Sequence, residues 1–315
     1  MTGEASSSTT GHRFSLTPRE PFHLGHTVWA LRRRPHNSVD RWDGETYRRL
    51  LVVQGVPTQL SVRSLEGGVG GPLSVHVSGK PLTRIARREV SSALNRLLGI
   101  QVDLNPFYRL ARKDPRLHAL VLRFKGVKPP RFTSTFESLV NGIACQQLSL
   151  TMGIELLNRL SRACGPTLGG EPNSGHAFPR PADILTLDVR SLRAMGFSQH
   201  KATALLGLAR RVDQGLLRLD ILEHMDNSSA VELLDAIPGI GRWTAEYALL
   251  RGLGRLDMYP GDDVGARNRL ARWLHRREPL DYEGVADVTR QWQPYAGVVY
   301  FHMLLAGLEE SGLLA

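Results

Sequence analysis

Apolar residues in the first third of the chain have the spacing of a small β-sheet. Alternation of apolar and polar or small residues predicts half-buried strands at residues 22–30 and 73–77. Apolar and β-branched runs bounded by turn residues predict two further strands, at 47–54 and 60–65. The pattern therefore predicts an antiparallel sheet near the start of the chain.

An amphipathic helix follows these strands. Residues 82–98 carry apolar side chains at helical spacing, and Gly99 is suited to end the helix. A sheet with one helix gives a small α+β domain, which we predict over residues 20–104. Residues 1–19 begin with a Ser/Thr-rich stretch that lacks an apolar core segment. We expect them to form a disordered tail and not a signal peptide.

From residue 105 to the end, the apolar positions follow helical spacing. Ser134-Thr-Phe-Glu137 and Ser229-Ala-Val-Glu232 both have the sequence of a capping box, in which a serine and a glutamate satisfy the first backbone donors of a helix. The stretch from Gly165 to Pro181 is rich in Gly and Pro, which predicts a surface loop. We therefore predict an all-α region over residues 105–315, and an α+β fold class for the whole chain.

The charged residues indicate a polyanionic partner. Lys and Arg number 40 against 30 Asp and Glu, which gives a net charge of +10, and nearly all of the basic residues are arginine. Guanidinium groups suit phosphate oxygens, so nucleic acid is a candidate partner. A solvated basic surface without a partner is the alternative.

Cysteine usage and hydropathy exclude several classes of protein. Cys145 and Cys164, the two cysteines of the sequence, are too few for a disulfide framework, a four-thiolate zinc site or an iron–sulfur cluster. A reducing compartment fits this usage best. No apolar run reaches the length of about 18 residues that a membrane span needs. We therefore expect a cytoplasmic protein without a membrane partner.

The most informative segment runs from Leu233 to Ala245, where one helix enters the sequence Pro-Gly-Ile-Gly and a second helix follows at once. The glycines permit a tight turn and a close approach to another surface. The second helix begins with unpaired N–H groups and a positive dipole end, so the hairpin is a candidate phosphate site that does not read base sequence. An ordinary αα-hairpin with a glycine turn is the alternative. The candidate phosphate-binding residues are Pro238, Gly239, Ile240, Gly241, Arg242 and Thr244.

This segment resembles the helix-hairpin-helix signature, and the flanking residues narrow the resemblance. Tyr259-Pro-Gly-Asp-Asp263-Val-Gly-Ala-Arg267 is similar to the Pro-plus-Asp element of helix-hairpin-helix DNA glycosylases. Residues 136–149 and the closing Trp292-Gln-Pro-Tyr295 also match that family. The similarity is closest to the alkylpurine branch, that of bacterial 3-methyladenine DNA glycosylase II, which carries an extra N-terminal α+β domain.

The resemblance implies an enzyme of base excision repair. A glycosylase of this class flips a damaged base out of duplex DNA and hydrolyses its N-glycosidic bond. Residues 105–315 would then form two helical subdomains around an active-site cleft. We expect the partner to be double-stranded DNA containing damaged bases, the substrate to be an alkylated purine, and the protein to act as a monomer associated with the bacterial nucleoid.

Two adjacent carboxylates, Asp262 and Asp263, are the candidate catalytic groups. Cleavage of an N-glycosidic bond builds positive charge on the sugar, which a nearby carboxylate stabilises. Two neighbouring carboxylates repel each other in one site, so we expect different roles for them. The resemblance implies that Asp263 is catalytic, while Asp262 caps a helix. Capping is also the alternative role for Asp263.

The sequence predicts hydrolysis without strand cleavage. A lyase step needs an amine that forms a Schiff base with the sugar. Trp243 occupies the hairpin position where the oxoguanine-type relatives have that lysine, and no lysine follows Lys201. We therefore expect a monofunctional enzyme that uses water as the nucleophile and requires no cofactor.

Base recognition is assigned to four residues through the resemblance. Trp243, Tyr247 and Leu304 would line the base pocket, in which electron-rich rings suit a cationic alkylated purine. Aromatic core packing is the alternative for the two rings. Gln147 would fill the gap that the flipped base leaves in the duplex. A polar residue in a helix turn, without such a role, is the alternative for Gln147.

The family often binds a monovalent cation through carbonyl groups of the hairpin. By resemblance, the backbone carbonyls of Asp235, Ile237 and Ile240 would bind a Na⁺ or K⁺ ion. Two other functions remain open at this point. One is a glycosylase for oxidised or deaminated bases, and the other is a non-catalytic helix-hairpin-helix protein that binds DNA.

Overall fold

A computed structural model describes residues 11–79, 82–168 and 175–314 of the chain. The N-terminal part forms a five-stranded antiparallel sheet in the order β1-β5-β4-β3-β2. The strands are β1 (Gly11–Leu16), β2 (Arg41–Trp42), β3 (Thr46–Val53), β4 (Val56–Ser64) and β5 (Leu73–Ser78). The strands predicted at 47–54, 60–65 and 73–77 are confirmed.

The register of the sheet places its apolar positions on one buried face. Tyr47 on β3 pairs with Val62 on β4, and Val62 pairs with Val75 on β5. All three side chains are fully buried. Because side chains alternate across a strand, this pairing directs one complete row into the core.

The strand predicted at residues 22–30 is wrong, because α1 (Leu24–Arg32) is a helix there. Leu24, Val28 and Leu31 are buried at helical spacing, and the ring of His23 accepts a hydrogen bond from the N–H of His26 at the helix start. Apolar residues at 22, 24, 28 and 30 satisfy a two-residue period and part of a helical period. A short segment of this kind cannot be assigned from its spacing alone.

The prediction of a disordered tail over residues 1–19 is wrong for residues 11–16. β1 pairs with β5 from Gly11 to Leu16, so this segment belongs to the sheet. Residues 1–10 lie outside the described part of the chain. The predicted helix at 82–98 is confirmed as α2 (Arg84–Leu98), and Gly99 ends it in the left-handed conformation at φ +57°.

The remainder of the described chain is helical, as predicted, which confirms the α+β class. Its α-helices are α3 (Asn105–Ala111), α4 (Pro115–Arg123), α5 (Thr135–Cys145), α6 (Leu150–Cys164), α7 (Pro181–Ile184), α8 (Val189–Ala194), α9 (Gln199–Asp213), α10 (Asn227–Asp235), α11 (Arg242–Ala248), α12 (Val264–Trp273), α13 (Tyr282–Thr289) and α14 (Ala296–Glu310). Two 3₁₀ helices, Leu219–His224 and Arg290–Trp292, and a π-helical turn, Leu249–Leu253, complete the set.

The first predicted capping box is half formed. The hydroxyl of Ser134 accepts from the N–H of Glu137 at 3.0 Å at the start of α5. The Glu137 carboxylate does not reach back to Ser134, because it accepts hydrogen bonds from Thr133 and from the buried Arg49 of β3. Arg49 also pairs with Asp40 at 2.7 Å. This buried network fastens the sheet to the helical region.

The second predicted capping box is wrong. Helix α10 begins at Asn227, and Asp226 is its cap residue. Ser229 lies inside the first turn, where its N–H donates to the Asp226 carboxylate at 3.0 Å. The charged oxygen upstream caps the helix in place of the serine hydroxyl, since a carboxylate is also favoured by the helix dipole.

Three apolar clusters meet at the segment that follows the hairpin. Tyr247 packs in the cluster of the sheet and α2, Leu249 in that of α5, α6 and α9, and Leu250 in that of α4, α12 and α14. The junction between α11 and the π-helical turn is thus held from three sides. Across residues 11–79, 82–168 and 175–314, no helix is both long and apolar enough to cross a membrane.

Candidate active site

Helices α10 and α11 form the predicted hairpin, and its two glycines have different structural roles. Gly239 has φ +87°, and a Cβ at this position would overlap the Cβ of Ala204 on α9. Gly241 caps α11 in an extended conformation, and a Cβ there would meet nothing closer than the Asp235 carboxylate, 4.0 Å away. The fold therefore requires Gly239. The missing side chain of Gly241 leaves the hairpin surface open to an outside group.

The prediction that Asp262 caps the following helix is wrong, because Asp263 occupies the cap position. Asp263 is the cap of α12, since its Oδ1 accepts from the N–H of Ala266 at 2.8 Å. Asp262 is not a cap. Its Oδ2 accepts from Arg242 at the start of α11, with 2.8 Å to both Nε and Nη2. This ion pair connects the hairpin to the carboxylate segment at the surface.

The second oxygen of Asp263 has a partner that the sequence did not reveal. The hydroxyl of Tyr300 on α14 donates to Oδ2 at 2.8 Å. Burial raises the pKa of Tyr300, and the adjacent Asp263 carboxylate raises it further, so the hydroxyl remains a donor. Asp263 is half-buried and held at both oxygens, which fixes the direction of its carboxylate.

A cavity of about 440 Å³ opens beside this carboxylate. The predicted pocket residues Trp243, Tyr247 and Leu304 line it together with Asp263 and Tyr300. Its volume falls in the range of small-molecule sites, so an extrahelical base has room to enter it. The structure thus brings together the residues assigned to base binding and the carboxylate assigned to catalysis.

The two aromatic residues form one surface of the cavity. Trp243 and Tyr247 stack at 5.4 Å with 27° between their planes, because positions four apart share a helix face. Tyr247 is only 4% exposed and packs in the cluster of the sheet and α2. The Tyr247 side chain therefore both packs in the core and lines the cavity. Trp243 is half-buried at the cavity.

Gln147 lies at the rim of a larger open groove of about 900 Å³ next to the cavity. Its side chain is exposed and its backbone is left-handed, with φ +51°. The groove is also lined by Asp263 and by the hairpin residues Gly239, Ile240, Gly241, Arg242 and Thr244. Pro238 is exposed on the same hairpin but is not part of the groove.

Gln146 and Lys201 hold the turn that presents Gln147, and neither role was predicted from the sequence. The Gln146 amide donates to the Gly239 carbonyl at 3.0 Å and to the Thr244 hydroxyl at 2.9 Å. The buried ammonium of Lys201 donates to the carbonyls of Ala144 at 3.0 Å and Gln146 at 2.6 Å. The turn is therefore tied to the hairpin and to α9.

Arginines line the cavity in a way that the sequence analysis also missed. Arg33, Arg34, Arg251 and Arg269 all contribute to its wall. Arg33 ends α1 in the left-handed conformation and donates to the Tyr247 hydroxyl at 2.7 Å. Three consecutive arginines at 32–34 were visible in the sequence, but a charge run alone usually marks a solvated surface.

The predicted cation ligands lie at the hairpin turn. The carbonyl of Ile237 accepts from the N–H of Ile240 at 3.0 Å. Within the described chain, no hydrogen bond is donated to the carbonyls of Asp235 or Ile240. Two of the three carbonyl groups are thus available to a cation, and the third has a lone pair to spare. The donor set fits a Na⁺ or K⁺ ion.

The fold and site define a helix-hairpin-helix protein with a cavity that is lined by a carboxylate and by residues of several helices. Residues 140–294 match the family described as HhH-GPD superfamily base excision DNA repair protein. DNA-3-methyladenine glycosylase 1 of Schizosaccharomyces pombe is 33% identical over 162 residues, which cover 51% of this chain and 67% of that protein. The chain belongs to the HhH-GPD superfamily of base excision DNA repair proteins.

Similarity to relatives extends into the N-terminal domain. A putative DNA-3-methyladenine glycosylase of Bacillus subtilis is 27% identical over 283 residues, or 90% of this chain and 94% of that protein. The solved structure of a 3-methyladenine DNA glycosylase from Archaeoglobus fulgidus has a TM-score of 0.80 and 24% identity, covering 96% of this chain and 100% of that one. This likeness shows that the sheet and the helical region share one fold with that protein.

Proposed function

We propose that this chain is a monofunctional DNA glycosylase that flips an alkylated purine out of duplex DNA and hydrolyses its N-glycosidic bond. The observation that carries the proposal is the position of Asp263, oriented by Tyr300 and Ala266 at the edge of a cavity walled by Trp243 and Tyr247. A carboxylate and a flat aromatic surface are what sugar cleavage and base binding each require. The names of the relatives support the alkylated substrate.

Asp263 would act on the sugar. As the bond between C1′ and the base nitrogen lengthens, positive charge develops on the deoxyribose, and a carboxylate fixed nearby stabilises it. Because Oδ1 and Oδ2 each accept one donor, the group needs no reorientation when that charge appears. The base leaves with the electron pair of the broken bond, a water molecule adds to C1′ and loses a proton to Asp263 or solvent, and the intact strand carries an abasic site.

The surrounding residues would bind and deform the DNA. The hairpin at Gly239–Gly241 would contact phosphates through its backbone, and the cation ligated by Asp235, Ile237 and Ile240 would add a positive charge there. Gln147 would occupy the vacated position in the base stack, held in place by the tied turn. One chain supplies all of these groups, so we propose that the protein acts as a monomer.

The test is a panel of duplexes that each contain one lesion, scored for abasic sites after mild alkali. We expect release of N3- and N7-alkylated purines by the wild-type protein and loss of release in Asp263→Asn. A protein that binds these duplexes but releases no base from any of them would instead be the non-catalytic DNA-binding protein.

A further inference from the structure

A buried group of hydrogen bonds holds the segment that carries Asp263. Residues 258–263 lead into α12 and belong to no helix or strand. On α11, the carboxylate of Glu246 accepts from the N–H of Gly261 at 3.1 Å through Oε2. Its Oε1 accepts from the hydroxyl of Tyr282 on α13 at 2.7 Å. One carboxylate thus joins the second hairpin helix, the segment before α12, and α13.

The Glu246 carboxylate lies away from solvent. The residue is 2% exposed, and burial raises the pKa of its carboxyl. The two donors to it are an amide and a phenol, neither of which carries a charge. Burial of a carboxylate among neutral donors costs stability, and a leucine of similar size would avoid that cost. The polar side chain is therefore best explained by the two groups that it holds.

Tyr282 contacts the same segment through its ring. A Cβ at Gly261 would lie 2.7 Å from Cδ2 of Tyr282, so a residue without a side chain permits this close approach. The guanidinium carbon of Arg242 lies 3.8 Å from the centre of the ring. Arg242 and Glu246 are four positions apart on α11 and share one face of it, so both reach Tyr282 from the same helix.

Close packing does not fix the segment on this side. A cavity of about 490 Å³ is lined by Tyr259, Gly261, Glu246 and Tyr282. Backbone that borders a cavity has room to shift, because the atoms that would block its movement are missing. The hydrogen bonds of Glu246 therefore restrain the segment where packing does not.

The position of Gly261 bears directly on Asp263. Gly261 is two residues before Asp263, so a shift of one moves the other. α11 begins at Gly241, where we expect the hairpin to contact a DNA phosphate. Reaction rates are sensitive to such placement, and a displacement of about 1 Å can cost about a hundredfold.

We propose that Glu246, with Tyr282 as its partner, is a positioning residue that sets the distance between Asp263 and the sugar of the bound nucleotide. This inference rests on the proposed glycosylase function. One helix contacts the DNA at its N-terminus and holds the Asp263 segment through Glu246. The DNA backbone and the carboxylate therefore keep a fixed relation to each other.

The experiment separates the chemical step from DNA binding. Single-turnover rates are measured with saturating enzyme on a duplex that contains one N7-methylguanine, and affinity is measured on the same duplex without the lesion. Glu246→Leu removes both acceptors at similar volume, whereas Glu246→Gln keeps one carbonyl oxygen. Tyr282→Phe removes one donor and keeps the ring. Glu232→Leu is the matched control, because Glu232 of α10 lines the same cavity and accepts from Ser228 of its own helix.

Glu246→Leu should slow base release by about tenfold or more, since a displaced carboxylate stabilises the sugar cation less well. Its affinity for undamaged duplex should equal that of the wild type. Glu246→Gln should restore most of the rate, because its carbonyl oxygen accepts from Gly261 and its amide donates to the oxygen of Tyr282. Tyr282→Phe should slow release less than Glu246→Leu, and Glu232→Leu should match the wild type.

Several results would overturn the inference. Wild-type rates in Glu246→Leu and Tyr282→Phe would show that neither residue positions Asp263. Equal losses of rate and affinity in Glu246→Leu would assign Glu246 to the fold of the hairpin, and an equal loss in Glu232→Leu would assign the effect to the cavity. If the melting curve shows that Glu246→Leu does not fold, Tyr282→Phe decides. A wild-type protein that releases no base would remove the proposed function, and the inference with it.

Discussion

The hydroxyl of Tyr300 donates to Oδ2 of Asp263 at 2.8 Å, across 37 positions of sequence. The other carboxylate oxygen is held by the N–H of Ala266, so α12 fixes the position of the group and α14 fixes its direction. A catalytic carboxylate must face the sugar throughout the reaction. If Asp263 acts on the sugar as proposed, Tyr300 is a positioning residue that acts through Asp263.

Replacing Tyr300 by Phe should slow base release by about tenfold, because a misdirected carboxylate stabilises the sugar cation less well. The measurement is the single-turnover rate on a lesion duplex, with melting temperature as the control for folding. The affinity for DNA should not change. An unchanged rate would show that Ala266 alone orients Asp263.

The pH profile offers a second check on Tyr300. Its pKa lies well above the ordinary value near 10, because burial and the Asp263 carboxylate both disfavour the phenolate. The hydroxyl therefore stays protonated as the pH rises from 7 to 10. Ionisation of Tyr300 should therefore not lower the rate of base release in this window. A decline that is present in the wild type and absent in Tyr300→Phe would contradict the assignment.

Asp263→Asn should retain the fold and lose base release by at least about a hundredfold. Asparagine is also a favoured helix cap, so α12 keeps its N-terminal hydrogen bond to Ala266. Loss of the negative charge should leave DNA binding equal or tighter. The measurements are abasic-site formation and the equilibrium affinity for the same duplex. Normal turnover by this variant would remove Asp263 from the mechanism.

Asp262→Asn is the matched control for that experiment. It breaks a surface ion pair with Arg242, which contributes about 0–1 kcal/mol in proteins generally. We expect a small effect on both stability and rate. Equal loss of activity in the two variants would leave no basis for choosing Asp263 over Asp262.

The neighbouring aspartates show which features of the site could be predicted from the sequence and which could not. The Pro-plus-Asp element pointed to this segment, but either carboxylate could cap the following helix, and only the backbone around Ala266 decides. Tyr300 and Arg33 reach the cavity from remote elements, so no local spacing marks them. Trp243 and Tyr247 were identifiable because four residues along one helix bring side chains to the same face.

The elements of the fold could be predicted where the apolar spacing continued over a long segment or where distinctive turn residues bounded the segment. α2 follows a helical period and β5 alternates over its whole length, while β3 and β4 are marked by apolar, β-branched runs bounded by turn residues. α1 fits two periods within nine residues, and its burial against α2 and α14 is a tertiary effect. In β1 only Phe14 and Leu16 are apolar and both are half-buried against the core of the sheet, so the pattern is too weak to predict the strand that pairs with β5.

The two hairpin glycines should respond differently to alanine. Gly239→Ala should destabilise the protein by at least about 2 kcal/mol, since alanine is strained at positive φ and its methyl would overlap Ala204. Gly241→Ala should leave the melting temperature nearly unchanged and weaken binding to undamaged duplex. Thermal unfolding and DNA titration of both variants decide this. Unchanged DNA affinity in Gly241→Ala would argue against close approach of phosphate at the hairpin.

Gln147→Ala should lower base release from a fully paired duplex by about tenfold, because flipping costs unpairing and unstacking energy that the side chain offsets. A lesion in a bulge or opposite a gap should be affected much less, since it is already unstacked. Gln147→Gly is the control for the backbone, because φ +51° favours glycine over alanine. Equal losses on the paired and unpaired substrates would contradict a wedge role.

Strand cleavage should be absent, because no candidate amine in the described part of the structure is placed to attack the sugar. A Schiff base needs a free amine near the anomeric carbon. The resemblance places that amine at the position of Trp243, which lines the cavity and whose indole nitrogen is not nucleophilic. Lys201 lies under the turn at residues 144–147, and burial lowers its pKa, a change that by itself would favour a nucleophile. Its ammonium, however, is directed at the carbonyls of Ala144 and Gln146, 3.0 and 2.6 Å away.

Of the other candidate amines, Lys128 is bound and Lys125 is remote. Lys128 donates to the carbonyl of Val102 at 2.7 Å, next to the sheet domain, although burial lowers its pKa to about 8. Lys125 is exposed after α4 and does not line the cavity. Borohydride added during the reaction on a lesion duplex should therefore trap no protein–DNA adduct, and the strand should break only after alkali or heat. A trapped adduct that persists in Lys128→Met and vanishes in Lys201→Met would identify Lys201 as the nucleophile and make the enzyme bifunctional.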